Sequence, residues 1–323
     1  MSQSRENLAP TLIDGLAADL GGPRTAKLLD QLDAAVPWQQ LAEPVRAVYT
    51  AGSQGGRRPW DPALMLKCLM LAQWFGLSDP QLEEQLRDRL SFRRFVGLSL
   101  NDTTPDETSF VVFRRRLREH DLEQVLFDRA LSHIESRGLV VREGTIVDAT
   151  ILEAPRGKRK EDGSHTRDPE ASYTKKHGRT YHGYKAHVAT DTRGLIRKYK
   201  FDTAKVHDSQ HFDSLTEQET NAVYADSAYM SEDRRAQLKA RGVYCGIIRR
   251  RVRGQDELPK YQQLINRLLS STRAVVEHPF AWMTNMGHRR VRYRGRRRNE
   301  GHFAFKAMAY NCKRSLSLTP VSG

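Results

Sequence analysis

The sequence predicts an α+β protein in which an all-α N-terminal domain precedes a mixed α/β domain. Up to Gly138, apolar residues recur at spacings of three and four between capping residues, as in packed helices. From Gly144 the apolar period changes to two in short β-branched runs. These runs alternate with turn sequences and helical segments, which favours one mixed sheet covered by helices.

Capping residues define the predicted helices of the first part. Asp61 and Pro62 predict the start of an apolar helix that ends before Gly76. Thr104 begins a capping box for a later helix, and Asp121 is predicted to cap the last one. The short connections between these helices are compatible with helix-turn-helix geometry.

The second part is predicted to begin with a strand in GTIVDATIL and to continue with a long loop at residues 156–179. A hairpin follows around the turn DTRG, then a strand in NAVYAD and another in VYCGII. A long amphipathic helix at residues 261–278 is predicted to carry Glu277, with Pro279 breaking it just afterwards. This order suits a ribonuclease-H-like core, although periodicity alone does not separate that core from other α/β folds.

The composition favours a polyanionic partner. The chain of 323 residues carries 53 lysines and arginines against 39 acidic residues, a formal charge of +14. Such an excess promotes binding to nucleic acid by neutralising phosphates and releasing counterions. Three widely spaced cysteines and the lack of a signal pattern or long apolar run predict a cytoplasmic protein without a membrane span.

Three acidic residues in separate segments are the strongest candidates for chemistry. Asp148 and Asp226 are predicted to end buried strands, and Glu277 lies on a predicted helix. Two carboxylates brought together repel each other unless a cation lies between them, and Mg²⁺ prefers oxygen ligands. The alternatives stay open for each residue alone: an Asp after a strand is often a turn residue, and Arg273 with Glu277 is often a surface ion pair.

An arginine-rich segment at residues 288–298 is the leading candidate for a phosphate contact. It contains seven arginines together with Tyr293, whose ring could stack on an unpaired base. The alternative is a solvated charge run. Lys185 lies on one face of a predicted strand and points either toward the site or toward water. The residues predicted to bind DNA are Arg273, Lys185, Arg289, Arg290, Arg294, Arg297 and Arg298.

Nucleotide-dependent chemistry has no support in the sequence. The chain contains no P-loop, no GxGxxG between a strand and a helix, and no GxSxG. We therefore expect no nucleotide cofactor.

Several segments, in order, resemble the bacterial insertion-sequence-five family of DDE transposases. They are VDATILEAP, DPEASYTKKHGRTYHGYKAHVATD, KVHDSQ, VYADSAY, TRAVVEHPF and RYRGRRRNEGHFAFKAMAYNCKR. The resemblance extends from about Pro59 to Leu316. It implies a ribonuclease-H-like catalytic core after a helical DNA-binding domain, with divisions at residues 1–58, 59–138 and 139–323.

The resemblance also implies a function and a site. The DDE triad falls on Asp148, Asp226 and Glu277, which would be both catalytic residues and ligands of Mg²⁺, with Mn²⁺ as a substitute. The implied partners are double-stranded DNA, as inverted-repeat ends and as target, and further copies of the chain in a homodimer or larger assembly. The implied location is the bacterial cytoplasm, at the nucleoid.

The chain departs from the family signature around the glutamate, which runs Tyr, two residues, Arg, three residues, Glu, six residues, Lys. Arg273 and Glu277 match, whereas Ser270 and Thr284 replace the Tyr and the Lys. Arg289 or Arg290 is the expected substitute for the missing lysine. Two alternatives stay open: a transposase-derived DNA-binding protein that no longer cuts, and a structure-selective ribonuclease-H-like nuclease.

Overall fold

The computed structural model describes residues 24–50, 59–158, 160–161, 167–176, 178–251 and 257–319. The described residues form two compact units. One contains the residues up to Arg137 together with those from Ala304 onward, and the other is Gly138–Phe303. The sequence-based division kept residues 139–323 together and separated 1–58 from 59–138. The sequence also predicts a flexible connector at Ala51–Pro59, of which residues 51–58 lie outside the described residues.

The first unit is helical, as predicted. Its third helix, Pro62–Phe75, is apolar on nearly every side and buried along almost its whole length, so it forms the centre of this unit. The indole of Trp74 donates a hydrogen bond to the carbonyl of Ala309 (2.9 Å). The helices are α1 Arg24–Ala35, α2 Trp38–Thr50, α3 Pro62–Phe75, α4 Asp79–Asp88, α5 Leu90–Val96, α6 Glu107–Glu119 and α7 Leu122–Ser136.

Helix starts in this unit confirm one capping prediction and correct two. The Asp61 carboxylate accepts hydrogen bonds from the amides of Ala63 (2.8 Å) and Leu64 (3.1 Å). Helix α6 is capped by Asp106 instead of Thr104, because the helix begins later and the Asp106 carboxylate accepts from its third amide. Asp121 precedes α7 in a left-handed conformation (φ 52°) and makes no side-chain capping bond.

A six-stranded mixed sheet forms the centre of the second unit. Its main path runs β2-β3-β1-β5-β6, and β4 also pairs with β3. Strands β1, β3 and β4 are antiparallel, whereas β5 and β6 run parallel to β1. This confirms the predicted ribonuclease-H-like core. The strands are β1 Thr145–Glu153, β2 Ser172–Lys176, β3 Arg179–Thr190, β4 Ile196–Thr203, β5 Ala222–Ala225 and β6 Tyr244–Ile247.

The helices of the second unit correct two further predictions. The helix predicted at residues 261–278 is two helices separated by a 3₁₀ turn, Ala274–Val276. Pro279 lies in the first turn of the second helix, where a missing amide donor costs nothing, so it helps to start this helix. The helices are α8 Phe212–Thr216, α9 Glu232–Ala240, α10 Lys260–Arg273 and α11 Glu277–Asn285, followed by α12 Arg296–Leu318, whose residues from Ala304 onward belong to the first unit.

The long loop predicted at residues 156–179 contains strand β2, which pairs with the start of β3. Its polar residues hid this strand because β2 lies at the edge of the sheet and is largely exposed. Among the described helices, none has the length and apolar character needed to cross a membrane.

Candidate active site

Neighbouring parallel strands bring Asp148 and Asp226 together. Strands β1 and β5 pair in the register Val147↔Ala225, so the two aspartates occupy the next positions along the pair. Adjacent strands lie about 4.8 Å apart. Asp226 follows the last residue of β5, as predicted, but Asp148 lies within β1, which continues to Glu153. The prediction that Asp148 ends its strand was therefore wrong, because β1 keeps pairing with β3 past this point.

Asp148 is largely buried, and its carboxylate is paired with an arginine side chain. Its carboxylate accepts hydrogen bonds from the Arg273 guanidinium (3.0 Å) and from the backbone amide of Ala149 (2.7 Å). Burial raises the pKa of Asp148 above its ordinary value, whereas the Ala149 amide and the charges of Arg273 and Lys176 act against this rise. Arg273, which the sequence predicts to bind DNA, therefore pairs directly with the first of the three predicted carboxylates.

Asp226 is held by the turn that follows its strand. One carboxylate oxygen accepts from the Ser227 amide (2.5 Å) and from the Ser227 hydroxyl (3.1 Å). The Arg250 side chain in turn donates to the Ser227 hydroxyl (2.9 Å). These contacts fix the orientation of the carboxylate and leave its other oxygen for a further partner.

Glu277 begins α11, directly after the 3₁₀ turn that packs against β1, and its side chain is exposed. Arg273 and Glu277 bracket this turn, so one connection positions both residues near β1. Within the described part of the chain, however, no group of three His, Cys, Asp or Glu side chains lies close enough to hold a metal ion. The strand register thus places Asp148 and Asp226 side by side, and these two residues and Glu277 do not form a metal-binding group in this structure.

Tyr229 belongs to this site and was not among the predicted residues. Its side chain is 1% exposed and packs against Phe212. Burial raises the pKa of Tyr229, and the negative charges of Asp208, Asp148 and Asp226 raise it further. The only sequence signal was its position three residues after Asp226, which did not distinguish it from an ordinary core aromatic.

Lys185 and Asp208 form an ion pair on the same sheet face as His187. The Lys185 ammonium donates to the Asp208 carboxylate (2.9 Å) and to the Val206 carbonyl (2.9 Å), and Lys185 is 9% exposed. His187 is fully buried and lies against His211, with ring centroids 4.7 Å apart. Burial lowers the pKa of His187 to about 4, so this ring is neutral near pH 7.

Arg289 and Arg290 lie at the carboxyl end of β1. The Glu153 amide donates to the Arg289 carbonyl (2.9 Å), and the Val291 amide donates to the Glu153 carbonyl (2.9 Å). This backbone pairing extends the sheet, while both arginine side chains are exposed. Glu153 is five residues beyond Asp148, roughly 16 Å along the strand.

The remaining arginines of this segment surround the start of α12, which is anchored by acidic residues from the loop before β2. The Gly295 and Arg296 amides donate to Asp168 (3.4 Å) and Glu170 (2.9 Å). Carboxylates at a helix N-terminus are favourable because they meet the positive end of the dipole. The exposed side chains of this segment are Arg289, Arg290, Arg292, Arg294, Arg297 and Arg298.

The two positions that depart from the family signature are exposed. Ser270 lies on α10, and Thr284 lies on α11, where its hydroxyl donates to the Phe280 carbonyl (2.9 Å). Thr284 carries no charge, so it cannot replace the positive charge of the signature lysine. Arg289 follows Thr284 by five residues and offers an exposed cation near the same helix end.

The fold and the paired aspartates define a class of ribonuclease-H-like proteins with a carboxylate site on adjacent strands. A family model described as transposase DDE domain matches residues 141–312, and one described as transposase domain (DUF772) matches residues 22–116. The chain belongs to the DDE-domain transposase family. No solved structure matches the chain.

Proposed function

We propose that this transposase binds the terminal inverted repeats of an insertion sequence, cleaves DNA at the ends of the element and joins the 3′-OH to target DNA. The observation that carries the proposal is the register of β1 and β5, which sets two carboxylates side by side. The reaction exchanges phosphodiester bonds, so it needs no nucleotide cofactor. Acting on the chromosome, such an enzyme would work in the cytoplasm at the nucleoid.

The donor set fits a divalent cation. Asp148 and Asp226 offer hard oxygen atoms from a rigid sheet, and one of them already has a cationic partner in Arg273. These two residues would hold Mg²⁺, or Mn²⁺ in its place, with Glu277 as the third ligand. When bound, divalent ions activate the attacking oxygen and stabilise the leaving oxygen of an in-line displacement.

The residues around the carboxylates position the DNA. Arg273 orients Asp148, and the Lys185–Asp208 pair fixes the segment next to Tyr229. Arg289, Arg290, Arg294, Arg297 and Arg298 contact the phosphate backbone, which sets the register without reading sequence. The helices within residues 59–138 read the inverted repeat. Two ends must be joined, so the active species is a homodimer or a larger assembly.

The test is cleavage of a duplex carrying the element end, in Mg²⁺ and in Mn²⁺. Asp148→Asn and Asp226→Asn are expected to retain end binding and to lose cleavage by about three orders of magnitude or more, because a neutral amide is a poor ligand for a hard cation. Asp233→Asn, an exposed aspartate in the first turn of α9, is the matched control and retains cleavage. Undiminished cleavage in Asp148→Asn would refute the assignment.

One observation favours a second candidate, a DNA-binding protein that no longer cuts. Thr284 replaces the signature lysine and its hydroxyl is bonded within its own helix. End binding without nicking by the wild-type protein, in either metal, would favour this candidate. Cleavage of duplexes without preference for the element end, and without joined products, would instead indicate a structure-selective nuclease.

A further inference from the structure

We infer that the exposed face of α10 is the surface through which two copies of this chain pair. This inference rests on the proposed function, which requires two copies to hold two DNA ends, and it names the contact between them. The surface, called the α10 stripe below, consists of Tyr261, Leu264, Ile265 and Leu268.

The α10 stripe is an unusual concentration of exposed apolar side chains. Tyr261 is 61% exposed, Leu264 57%, Ile265 41% and Leu268 62%. The spacing i, i+3, i+4, i+7 places all four on one side of the helix. A contiguous apolar face that remains in water is costly, and it is typical of an interaction site.

The helix that carries this stripe is fixed to the sheet by its opposite side. Leu269 is 7% exposed. The Asn266 side chain donates to the Arg249 carbonyl (3.0 Å) and accepts from the Arg249 amide (3.1 Å). The inner face therefore already has its partners, and the stripe presents a preorganised surface that loses little entropy on binding.

A second copy suits this surface because the stripe is its own complement. A two-fold axis near the middle of the stripe places Tyr261 against Leu268 of the second copy and Leu264 against Ile265 of the second copy. The exposed parts of the four side chains amount to roughly 450 Å² per copy. With the flanking residues, the pair buries about 1,000 Å², the lower limit of a specific interface.

The charges beside the stripe give this contact a distinctive dependence on salt. Helix α10 contains no acidic residue, and Lys260 and Arg267 flank the stripe at its two ends. In the two-fold arrangement, Lys260 of one copy lies at the same end of the interface as Arg267 of the other copy, and the two positive charges repel each other. Salt screens this repulsion, so pairing strengthens as salt rises, whereas DNA binding weakens.

Pairing at this helix would also act on the active site. The last residue of α10 is Arg273, whose guanidinium binds Asp148 (3.0 Å). A second copy that clamps α10 therefore steadies the residue that orients the catalytic carboxylate. Assembly and cleavage competence are coupled through one helix.

The experiment is sedimentation velocity of the full chain at several concentrations in low and high salt. Wild type is expected to dimerise more strongly in high salt, and Leu264→Glu combined with Leu268→Glu is expected to weaken pairing by about tenfold or more. Gln262→Glu combined with Gln263→Glu adds the same charge off the stripe and is expected to remain dimeric. Circular dichroism shows whether each variant keeps its helices.

A second variant tests the two-fold arrangement because it is expected to strengthen dimerisation instead of weakening it. Arg267→Glu replaces two like-charge contacts with two attractive ones, so its dimer is expected to be several-fold tighter in low salt and no longer strengthened by salt. A monomeric wild type at all concentrations, or a Leu264→Glu/Leu268→Glu variant that pairs like wild type, would overturn the inference.

Cleavage assays separate this inference from the proposed function. If the Leu264→Glu/Leu268→Glu variant is monomeric, binds single DNA ends and no longer joins them, both the pairing through α10 and the proposed function are supported. If wild type pairs through the stripe but never cleaves, the pairing stands and the proposed function fails. If wild type cleaves and joins while pairing is insensitive to the stripe, the inference alone fails.

Discussion

At the scale of single residues, the site depends on how Asp148 is held. Its carboxylate is mostly buried within β1, which raises its pKa, and the Ala149 amide and the Arg273 guanidinium act against this rise. A carboxylate that is both buried and paired is fixed in direction, which is what a metal ligand requires. Arg273 is therefore a positioning residue for this carboxylate.

Replacing Arg273 is expected to move the pH profile of cleavage. In Arg273→Gln the pKa of Asp148 rises further, so the acidic limb of the rate profile shifts to higher pH and the maximal rate falls by about tenfold to a hundredfold. Arg273→Lys keeps the charge and restores part of the rate and most of the profile. If Arg273 had a purely structural role, both variants would have a lower rate, and the acidic limb of the pH–rate profile would stay where it is in wild type.

The lowered pKa of His187 predicts how the free energy of unfolding depends on pH. Its pKa is lowered to about 4 by burial and by the charges of His211 and Lys185, against the opposing charges of Asp208 and Asp202. In the unfolded chain the His187 ring takes up a proton as the pH falls through about 6.5, whereas in the folded chain it stays neutral there. The contribution of the neutral ring to the free energy of unfolding is therefore fully present above pH 6.5. It is lost as pH falls toward 4, by on the order of 2 kcal/mol.

Chemical denaturation at pH 7, 5.5 and 4.5 measures this loss. His187→Leu removes the titrating ring and is expected to flatten the pH dependence of the free energy of unfolding over this range. His120→Gln, at an exposed histidine that ends α6, is expected to keep the wild-type dependence. An equally steep fall in His187→Leu would contradict the assignment.

At the scale of elements, the sheet is tightest where β1, β2 and β3 meet. Gly183 of β3 pairs with Glu153 on one side and with Ser172 on the other. A Cβ atom at this position would lie 2.0 Å from the Leu152 carbonyl oxygen, closer than any real contact. Glycine is therefore required here by the close approach of two backbones.

Gly183→Ala is expected to lower the free energy of unfolding by about 2–3 kcal/mol, because the backbone of β1 must move away. Gly178→Ala is the matched control: it also has a positive φ (76°) but meets open space, so its cost is only about 1 kcal/mol. Equal costs for the two variants, measured by urea denaturation, would show that the contact with Leu152 is not decisive.

At the scale of the whole molecule, the charge excess of +14 determines how the protein meets DNA. Lysines and arginines that pair within the fold, such as Lys185 and Arg273, contribute little to this encounter. The side chains of Arg294, Arg297 and Arg298, at the start of α12, are exposed. Affinity for DNA should therefore depend steeply on salt.

Alanine at Arg294, Arg297 and Arg298 together is expected to reduce the slope of log affinity against log salt concentration by up to about 3. A triple alanine variant at Lys198, Lys200 and Lys205 removes the same charge from β4 and the segment after it, and is expected to change the slope less. Binding titrations on an end-bearing duplex at four salt concentrations measure both. Identical slopes in the two variants would assign the effect to net charge alone.

The sequence determined the elements whose signals are local. Asp61 and Gly76 set both ends of α3 because caps act within a few residues. The period-two runs and the DTRG turn likewise fixed β1, β3 and β4 as strands. It also pointed to Asp148 and Asp226, because an acid in a β-branched run is costly to bury without a partner.

Only the tertiary structure decided what depends on residues far apart in the chain. The register of β1 with β5, the pairing of Asp148 with Arg273 and the place of Tyr229 each join segments separated by tens of residues or more. The break between α10 and α11 was missed for the same reason, since packing of the turn against β1 overrides the helical pattern. Local patterns specify backbone shape, whereas long-range packing specifies which side chains meet.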